Sequence, residues 1–598
     1  MSGSSDDHLF GVAQSAVGRS WVRRLTAAEE RTAMALAQRN TLSDAAARVL
    51  AGRSVTTQNA DTEMAPTIRA LLPDPSTLTD CDRLVTILAQ AIAKKRSIAL
   101  FADYDVDGAT SAAVVARVLS GYGANVRVMV PDRITDGYGP SIGLMEELKR
   151  EGAELVICLD CGAGAIEPIT AAKESGLDVL VIDHHPVDAI APADAVVNPN
   201  RADDLSGLGD CAAVGVAFVV MVGLVRHMRR EGLSAGGQAG HPDLMHLLDC
   251  VALGTVADVV PLTALNRAFV RGGLVAFRKR QNRGLAALTT SARIGGPVDA
   301  GHLGYVIGPR INAGGRIGEA GLGAKLLITR DEAEAETIAS QLEELNTERR
   351  SIEARALEEA VALADETASL VVVSGEWHPG VVGLVASRLK ERLRRPALAI
   401  ALQDDKGVGS GRSIPGVDLG AAIRAACGEG LLVKGGGHAM AAGFTVRRDG
   451  LEAFKSFLTD HLAETVTIAR AADRLKIDAV VGLAALDETL ASALTDLGPW
   501  GSGRPRPVFG LSDVKLEAVY PVGQGDSLRL SLSAPCGTRA SAMAFRTGGP
   551  LGAMLKASVG TNVHLAVELS YGVFRGIARP EITVIDVASP SAALRRAA

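Results

Sequence analysis

The chain reads as a multidomain α/β protein that opens on a doubly wound parallel sheet and closes on a small β-barrel, and three observations predict this. At 598 residues with 47% hydrophobic content, it is too long for a single core and has the composition of a packed protein. Continuous apolar strands alternate with helical stretches through the first half, as in sheets covered on both faces. The last hundred-odd residues instead carry short strands separated by Gly and Pro turns, the pattern of a small antiparallel barrel.

Residues 1–75 mix Ser, Thr, Arg and Ala without a sustained period and read as a helical or loosely attached N-terminal extension. Over 76–330 strand, turn and helix repeat: SIALFADYD then ATSAAVVARVLSGYG, ELVICLDCG then EPITAAKESG, then DVLVIDHH. Residues 331–368 lack glycine and proline and space Ile338, Leu342 and Leu345 on one face, predicting a long connecting helix with solvated charges. A second α/β unit spans 369–471, from SLVVVSGEWHPG to GGGHAMAAGFTV. The barrel covers 472–588, with strands SLRLSLSA, TNVHLAVELSY and EITVIDVA, and 589–598 is a tail.

The net charge of −6 argues against a globally basic nucleic-acid coat and leaves room for a basic groove. The first residues are acidic early and have no continuous apolar core, so they do not read as a secretory signal, and the longest apolar run, Cys211 to Val225, is short of the roughly 18–20 residues that span a bilayer. Seven scattered cysteines imply reduced thiols and a cytoplasmic location. Cys158 and Cys161 form a C-x-x-C inside an apolar strand with no second pair, so core packing is the expected role.

Chemistry concentrates at strand ends. SIALFA runs into Asp103-Tyr-Asp105-Val-Asp107-Gly108, and three alternating carboxylates repel one another unless cations lie among them. Asp160 ends the second strand and Asp183-His184-His185 the third, at the carboxyl edge where open α/β sheets bind ligands, and Asp258 follows a further apolar segment. A single strand-end Asp is more often a helix N-cap, but coincidence of all of them is not. Carboxylates and imidazole without thiolate favour Mn²⁺ or Mg²⁺, and a pair of such ions suits displacement at phosphorus.

D-x-D-x-D-G, Asp160, the D-H-H triplet and Asp258 together resemble the first four motifs of the DHH phosphoesterase superfamily. The resemblance implies two metal ions. Asp105 and Asp107 would ligate different ions, Asp160 would bridge them, His184 and Asp258 would complete the second site, and Asp103 would complete or support the first. It implies a catalytic set of Asp160, Asp183 and His185, with Asp183 orienting the histidines and His185 meeting the scissile phosphate.

Further motifs bear on the substrate. Gly308 to Arg316, GPRINAGGR, supplies two arginines, while Trp377-His378, Gly409-Ser410-Gly-Arg412 and Gly435-Gly-Gly-His438 resemble the DHHA1 domain of that superfamily. GGGHAMAAGF lacks the Lys-Ser/Thr ending of a P-loop, so ATP is not implied. The wording from about residue 78 to GPWGSGRPRPVF is similar to the superfamily's bacterial exonucleases, whose barrel is an OB-fold. This implies an exonuclease that degrades single-stranded DNA 5′→3′ to 5′-mononucleotides in DNA repair and recombination, as a monomer without membrane attachment. Single-strand-binding protein and a RecQ-type helicase are the partners implied. Ser410 and Arg412, with Arg316 and Arg133 and less firmly Arg310, would hold the 5′ phosphate. His378 and His438 would line the nucleotide, although a structural histidine is as common an explanation for His438.

A strand threaded between the two α/β units would exclude duplex, and with 3% aromatic residues, Tyr104, Tyr138, Trp377 and Trp500 among them, backbone contacts should outweigh stacking. Two other readings stand: a phosphodiesterase for short RNA or cyclic dinucleotides, and a non-catalytic replication scaffold. Chain length and the barrel weigh against the first, and the intact ligand set against the second. The Gly-rich stretch EGLSAGGQAGHPD reads as a surface insert.

Overall fold

The computed structural model describes residues 8–133, 135–233, 240–523, 526–574 and 577–590, so part of the Gly-rich insert and most of the C-terminal tail lie outside the described residues. Two compact units result, one of Asp61–Arg349 with Gly498–Pro505, the other of residues up to Ala60, Arg350–Leu497 and those from Arg506 onward.

The N-terminal residues are more firmly held than the sequence suggests. Strand β1 (Ser20–Arg23) lies in its unit with Trp21 fully buried and its Nε1 donating to Asp586 at 3.0 Å. Four residues carry too short a pattern to signal a strand whose partner is distant in sequence.

The first large unit is built on β2 (Ile98–Ala102), β3 (Val126–Met129), β4 (Leu155–Leu159), β5 (Asp178–Ile182) and β6 (Ala195–Val197). They form an all-parallel sheet in the order β3-β2-β4-β5-β6. β2 and β4 are buried at every position, which is why they read as unbroken apolar runs. The order reverses at β2, so the crevice beyond the carboxyl ends of β2 and β4 is where a ligand is expected. Helices α1 (Val106–Gly121), α2 (Ala213–Arg230) and α3 (Leu248–Ala257) bury the larger apolar layer against one face. Two further helices matter below, α4 (Arg283–Ser291) and α5 (Gly308–Ile317).

The 32-residue helix α6 (Glu332–Leu363) forms where the charged, glycine-free stretch predicts it, with Ile338 and Leu342 buried in the core of the first unit. In the second unit β7 (Val371–Gly375), β8 (Ala397–Gln403), β9 (Lys406–Arg412), β10 (Lys434–His438) and β11 (Ala441–Arg447) form a mixed sheet, with helix α7 (Val382–Leu393) following β7. β7 and β8 are parallel and the remaining pairs antiparallel. β12 (Arg474–Ile477) then pairs in parallel with β1.

The barrel follows as β13 (Ala479–Val480), β14 (Phe509–Val522), β15 (Ser527–Ser533), β16 (Arg539–Phe545), β17 (Asn562–Phe574) and β18 (Ile577–Ala588). The long strand β14 bonds β15 with one part and β17 with another, shifting register at each, which closes the sheet. Two pairings, β13 with β14 and β16 with β18, are parallel, so the barrel is an OB-like closed sheet and not purely antiparallel. Among the described residues no helix is long and apolar enough to cross a membrane.

Candidate metal centre

Each acidic residue of the sheet edge sits one position beyond a strand, its amide continuing the ladder: Asp103 to the Leu159 carbonyl, Asp160 to Ile182, Asp183 to Val197. Asp160 holds φ +61°, a left-handed conformation that Asp tolerates better than most residues and that commonly marks a functional position. Gly108 is demanded by close approach, since a Cβ there would lie 2.3 Å from the Asp103 carbonyl oxygen.

Two of the carboxylates do double duty as helix caps. Asp105 is the N-cap of α1, accepting from the Asp107 amide at 2.8 Å and Gly108 at 3.2 Å. Asp107, fully buried, accepts from the amides of Ala213 (2.6 Å) and Val214 (2.9 Å) and so caps α2, whose own N-cap Ala212 offers no side chain. The capping explanation therefore accounts for part of each carboxylate but not for their convergence.

Three groups of potential ligand atoms lie within 4.8 Å of one another: Asp103, Asp105 and Asp160; Asp107, His184 and Asp258; and Asp160, His184 and His185. Asp160 and His184 each belong to two. The His184 ring is the most constrained of these groups. Its Nδ1 is 3.0 Å from the Cys211 carbonyl, which can only accept, so Nδ1 carries the proton and Nε2 a lone pair. That lone pair lies 3.4 Å from Asp160 Oδ1, 3.7 Å from Asp258 Oδ2 and 3.9 Å from Asp107 Oδ2. His184 Nε2, Asp160 Oδ1 and Asp103 Oδ1 are buried without hydrogen-bond partners. Lone pairs facing one another in a buried site are repulsive until a cation lies among them, so this donor set fits hard divalent ions.

The electrostatics agree. Burial first, then repulsion from Asp105, raises the pKa of both Asp103 and Asp258. Burial raises Asp107, with Asp258 and Asp105 adding to it, and raises Asp160, with Asp107 and Asp105 adding. Burial and the neighbouring His185 hold His184 down to about 4, keeping it neutral.

Asp183 plays a different part. It accepts from the amides of Ala163, His184 and His185 and, at 2.8 Å, from His185 Nδ1. Burial opposes its ionisation, but these bonds prevail and hold it below the ordinary carboxylate range. His185 is correspondingly raised, the Asp183 contact outweighing burial. With Nδ1 engaged, Nε2 is the nitrogen of His185 left for a ligand.

Residues the motif reading did not assign complete this frame. The Tyr138 hydroxyl lies 3.2 Å from the Asp160 carbonyl and 3.1 Å from His185 Nδ1. Asn198 and Asn200 donate to the carbonyls of His185 (2.8 Å) and His184 (2.6 Å). The signal existed: Asn-Pro-Asn follows the strand AVV, at the same carboxyl edge as the acids.

Arg133 stacks over the Tyr104 ring at 5.0 Å, and burial pushes the Tyr104 hydroxyl up to about 12 against the pull of Arg133 and Arg316. Arg310 is placed otherwise: its guanidinium grips both oxygens of Glu343 and the Val306 carbonyl, so it is a strut between α5 and α6 and not a free phosphate ligand. In the second unit Arg412 donates to the Ser410 hydroxyl at 2.9 Å, and a Cβ on Gly383 in the first turn of α7 would come within 3.1–3.2 Å of both. His378 Nδ1 accepts from the Gly380 amide at 3.0 Å, and His438 ends β10 exposed. Trp377 is not available for stacking, being buried with Nε1 bonded to Glu359 at 2.8 Å. Trp500 is partly buried beneath Arg504 at 5.4 Å. Cys158 and Cys161 are wholly buried and their thiols raised by burial, which leaves no thiolate.

Comparison with known proteins matches residues 97–255 to the DHH family, N-terminal domain, 365–464 to the DHHA1 domain and 477–586 to the RecJ OB domain. The single-stranded-DNA-specific exonuclease RecJ of Dickeya dadantii is 38% identical over 463 residues, covering 75% of this chain and 80% of that one. The protein of the same name from Thermus thermophilus is 32% identical over 526 residues, covering 88% and 72%. The crystal structure of RecJ in complex with Mn²⁺ from Thermus thermophilus superposes with a TM-score of 0.77 at 29% identity, covering 95% of this chain and 79% of that one. Its Mg²⁺ complex gives 0.72 at 28% identity, covering 95% and 78%.

Proposed function

The chain belongs to the RecJ family of single-stranded-DNA-specific exonucleases, and from that premise we propose that it hydrolyses single-stranded DNA 5′→3′, releasing 5′-mononucleotides with Mn²⁺ or Mg²⁺. The observation that carries the reading is the convergence of buried, unpartnered Asp103, Asp160 and His184 atoms at the edge of a parallel sheet. Asp103, Asp105 and Asp160 would hold one ion and Asp107, His184 and Asp258 the other, Asp160 lying close to both groups. Bound there, the ions supply an activated water and charge stabilisation at phosphorus.

The chain's own residues do the rest. Asp183 fixes His185 with its proton on Nδ1 and favours the imidazolium, so Nε2 can donate to a non-bridging phosphate oxygen. Tyr138 and Asn198 hold that ring and its backbone in place. Arg133 and Arg316 bind phosphates beside the metal centre. Ser410 and Arg412, against the first turn of α7, take the 5′ phosphate, as helix N-termini with arginine commonly do, and His378 and His438 flank the nucleotide. The reading divides the chain into catalytic, DHHA1 and strand-binding parts at 76–330, 369–471 and 472–588, acting in the cytoplasm as a monomer beside single-strand-binding protein and a RecQ-type helicase.

A polarity assay on end-labelled single-stranded DNA, with Mn²⁺, Mg²⁺ and chelator compared, tests this. Mononucleotides should appear first from the 5′ label and none under chelator. Release from the 3′ end, or preference for two-to-five-residue RNA, would overturn it.

A further inference from the structure

A second concavity opens on the unit that bears the metal centre, at the opposite end of α1. Its volume is about 620 Å³, and Arg117, Arg283, Arg330, His241 and His246 are among the residues lining it. No Asp or Glu lines it among the described residues. From Asp107 to Arg117 is about 15 Å of helix, so this is not an annex of the metal centre.

The cations here are poorly neutralised. Arg330 is exposed and makes no hydrogen bond or ion pair among the described residues. Arg283 has an exposed pair with Glu332 at 3.7 Å, which solvent screens. Arg117 reaches the Thr329 carbonyl only at 3.4 Å and leaves Nε buried without a partner. Burial lowers the pKa of His246, and Arg117 and Arg330 lower it further against Asp243. Three helices also begin at the lining residues, α3 after Leu247, α4 at Arg283 and α6 just after Arg330, and their first amides add partial positive charge. The C-terminus of α1, Glu332, Asp249, Asp243 and Asp331, which already accepts from the Glu334 amide of α6, oppose this. Asp249, buried, has its pKa raised to about 6 by that burial and so opposes it weakly near neutrality.

We propose that this cavity binds a phosphate-bearing small molecule, a second anion site distinct from the metal centre. Arginine forks and helix N-termini together are the usual chemistry of phosphate recognition. The pocket is half-open to solvent, but its cations are gathered around one volume of about 620 Å³ instead of being spread along a track, which suits a mononucleotide or a short polyphosphate better than a continuous strand. Sharing α1 with Asp107, the site is joined to the catalytic edge by one rigid element.

The test is calorimetric titration of the full chain in EDTA with pyrophosphate and, separately, thymidine monophosphate, against sulfate at matched ionic strength. At least one phosphate should bind saturably, with the thymidine arm separating a nucleotide site from a bare phosphate site. Asp160→Asn should leave that binding intact, whereas Arg283→Glu with Arg330→Glu should weaken it roughly tenfold or more. Arg330→Gln alone, an exposed change that cannot unfold the unit, should give a smaller loss in the same direction. Absence of saturation to about 10 mM, equal binding of sulfate, loss with Asp160→Asn, or an effect of the arginines on oligonucleotide alone would each overturn the proposal.

Discussion

Replacing Asp160 by Asn should make the metal-free protein more stable while abolishing its activity, a reversal that an ordinary buried hydrogen-bonded Asp would not give. Asn is the clean substitution because residue 160 is left-handed at φ +61°, a conformation Asn shares, whereas Ala would add backbone strain. The residue is 2% exposed, its Oδ1 has no partner among the described residues, and Asp107, Asp105 and Asp103 all raise its pKa after burial itself. A carboxyl whose folded pKa is raised adds stability when protonated and loses it as pH climbs from the unfolded value of about 4 through the folded one. Near neutrality, without cations, it is therefore a burden. Relieving an unsatisfied buried group returns roughly 1–3 kcal/mol, or several degrees in melting temperature at about 2–4 °C per kcal/mol.

With Mn²⁺ the sign inverts. At a hundredfold its dissociation constant, the ion stabilises the wild type by about 2.7 kcal/mol, and the Asn variant, lacking the carboxylate proposed to serve both ions, should gain much less. Thermal melts across a Mn²⁺ series starting in EDTA would show the two curves cross, and the labelled-strand assay would show no turnover by the variant. If the variant melted below wild type in EDTA, or hydrolysed DNA within a few-fold of it, the shared-ligand reasoning would be wrong.

Three other outcomes follow from particular contacts. Gly108→Ala places a methyl 2.3 Å from the Asp103 carbonyl, so it should displace that ligand and lower Mn²⁺ affinity, measured by the half-saturating metal concentration; an unchanged value would contradict the packing. Asp183→Asn keeps an acceptor but removes the negative charge that helps raise His185, so the pH–rate limb belonging to His185 should move to lower pH, and a limb that stayed put would assign it elsewhere. Trp21→Ala deletes a fully buried ring and its bond to Asp586, and should cost about 3–5 kcal/mol, read as a lowered denaturation midpoint; a loss under 1 kcal/mol, roughly that of a surface change, would show the N-terminal strand to be dispensable.

How much of this was legible in the chain depends on how local the cause is. The parallel sheet announced itself because strands buried on both faces must be apolar throughout, and helix α6 because nothing in it breaks a helix. β1 did not, since its partner strand is some 450 residues away and pairing at that separation leaves no pattern in four residues. The parallel β16–β18 pair was hidden likewise, because strand direction is set by the path of the chain and not by alternation.

The site divides on the same line. Asp103, Asp105, Asp107, Asp160, His184 and Asp258 could be gathered from sequence because each follows an apolar run and sheet topology brings such ends together. The fate of an arginine could not. Arg310 and Arg316 are six residues apart on one helix, yet Arg310 is spent on Glu343 while Arg316 pulls on the Tyr104 hydroxyl between Asp103 and Asp105. Nor does a motif say which carboxylates are already satisfied. The resemblance implies that Asp183 orients the histidines, but not by what means: four donors occupy its carboxylate, one of them His185 Nδ1. Among the described residues Asp103 and Asp160 are the acids of this edge that keep a buried oxygen without a partner, and that is a property of packing alone.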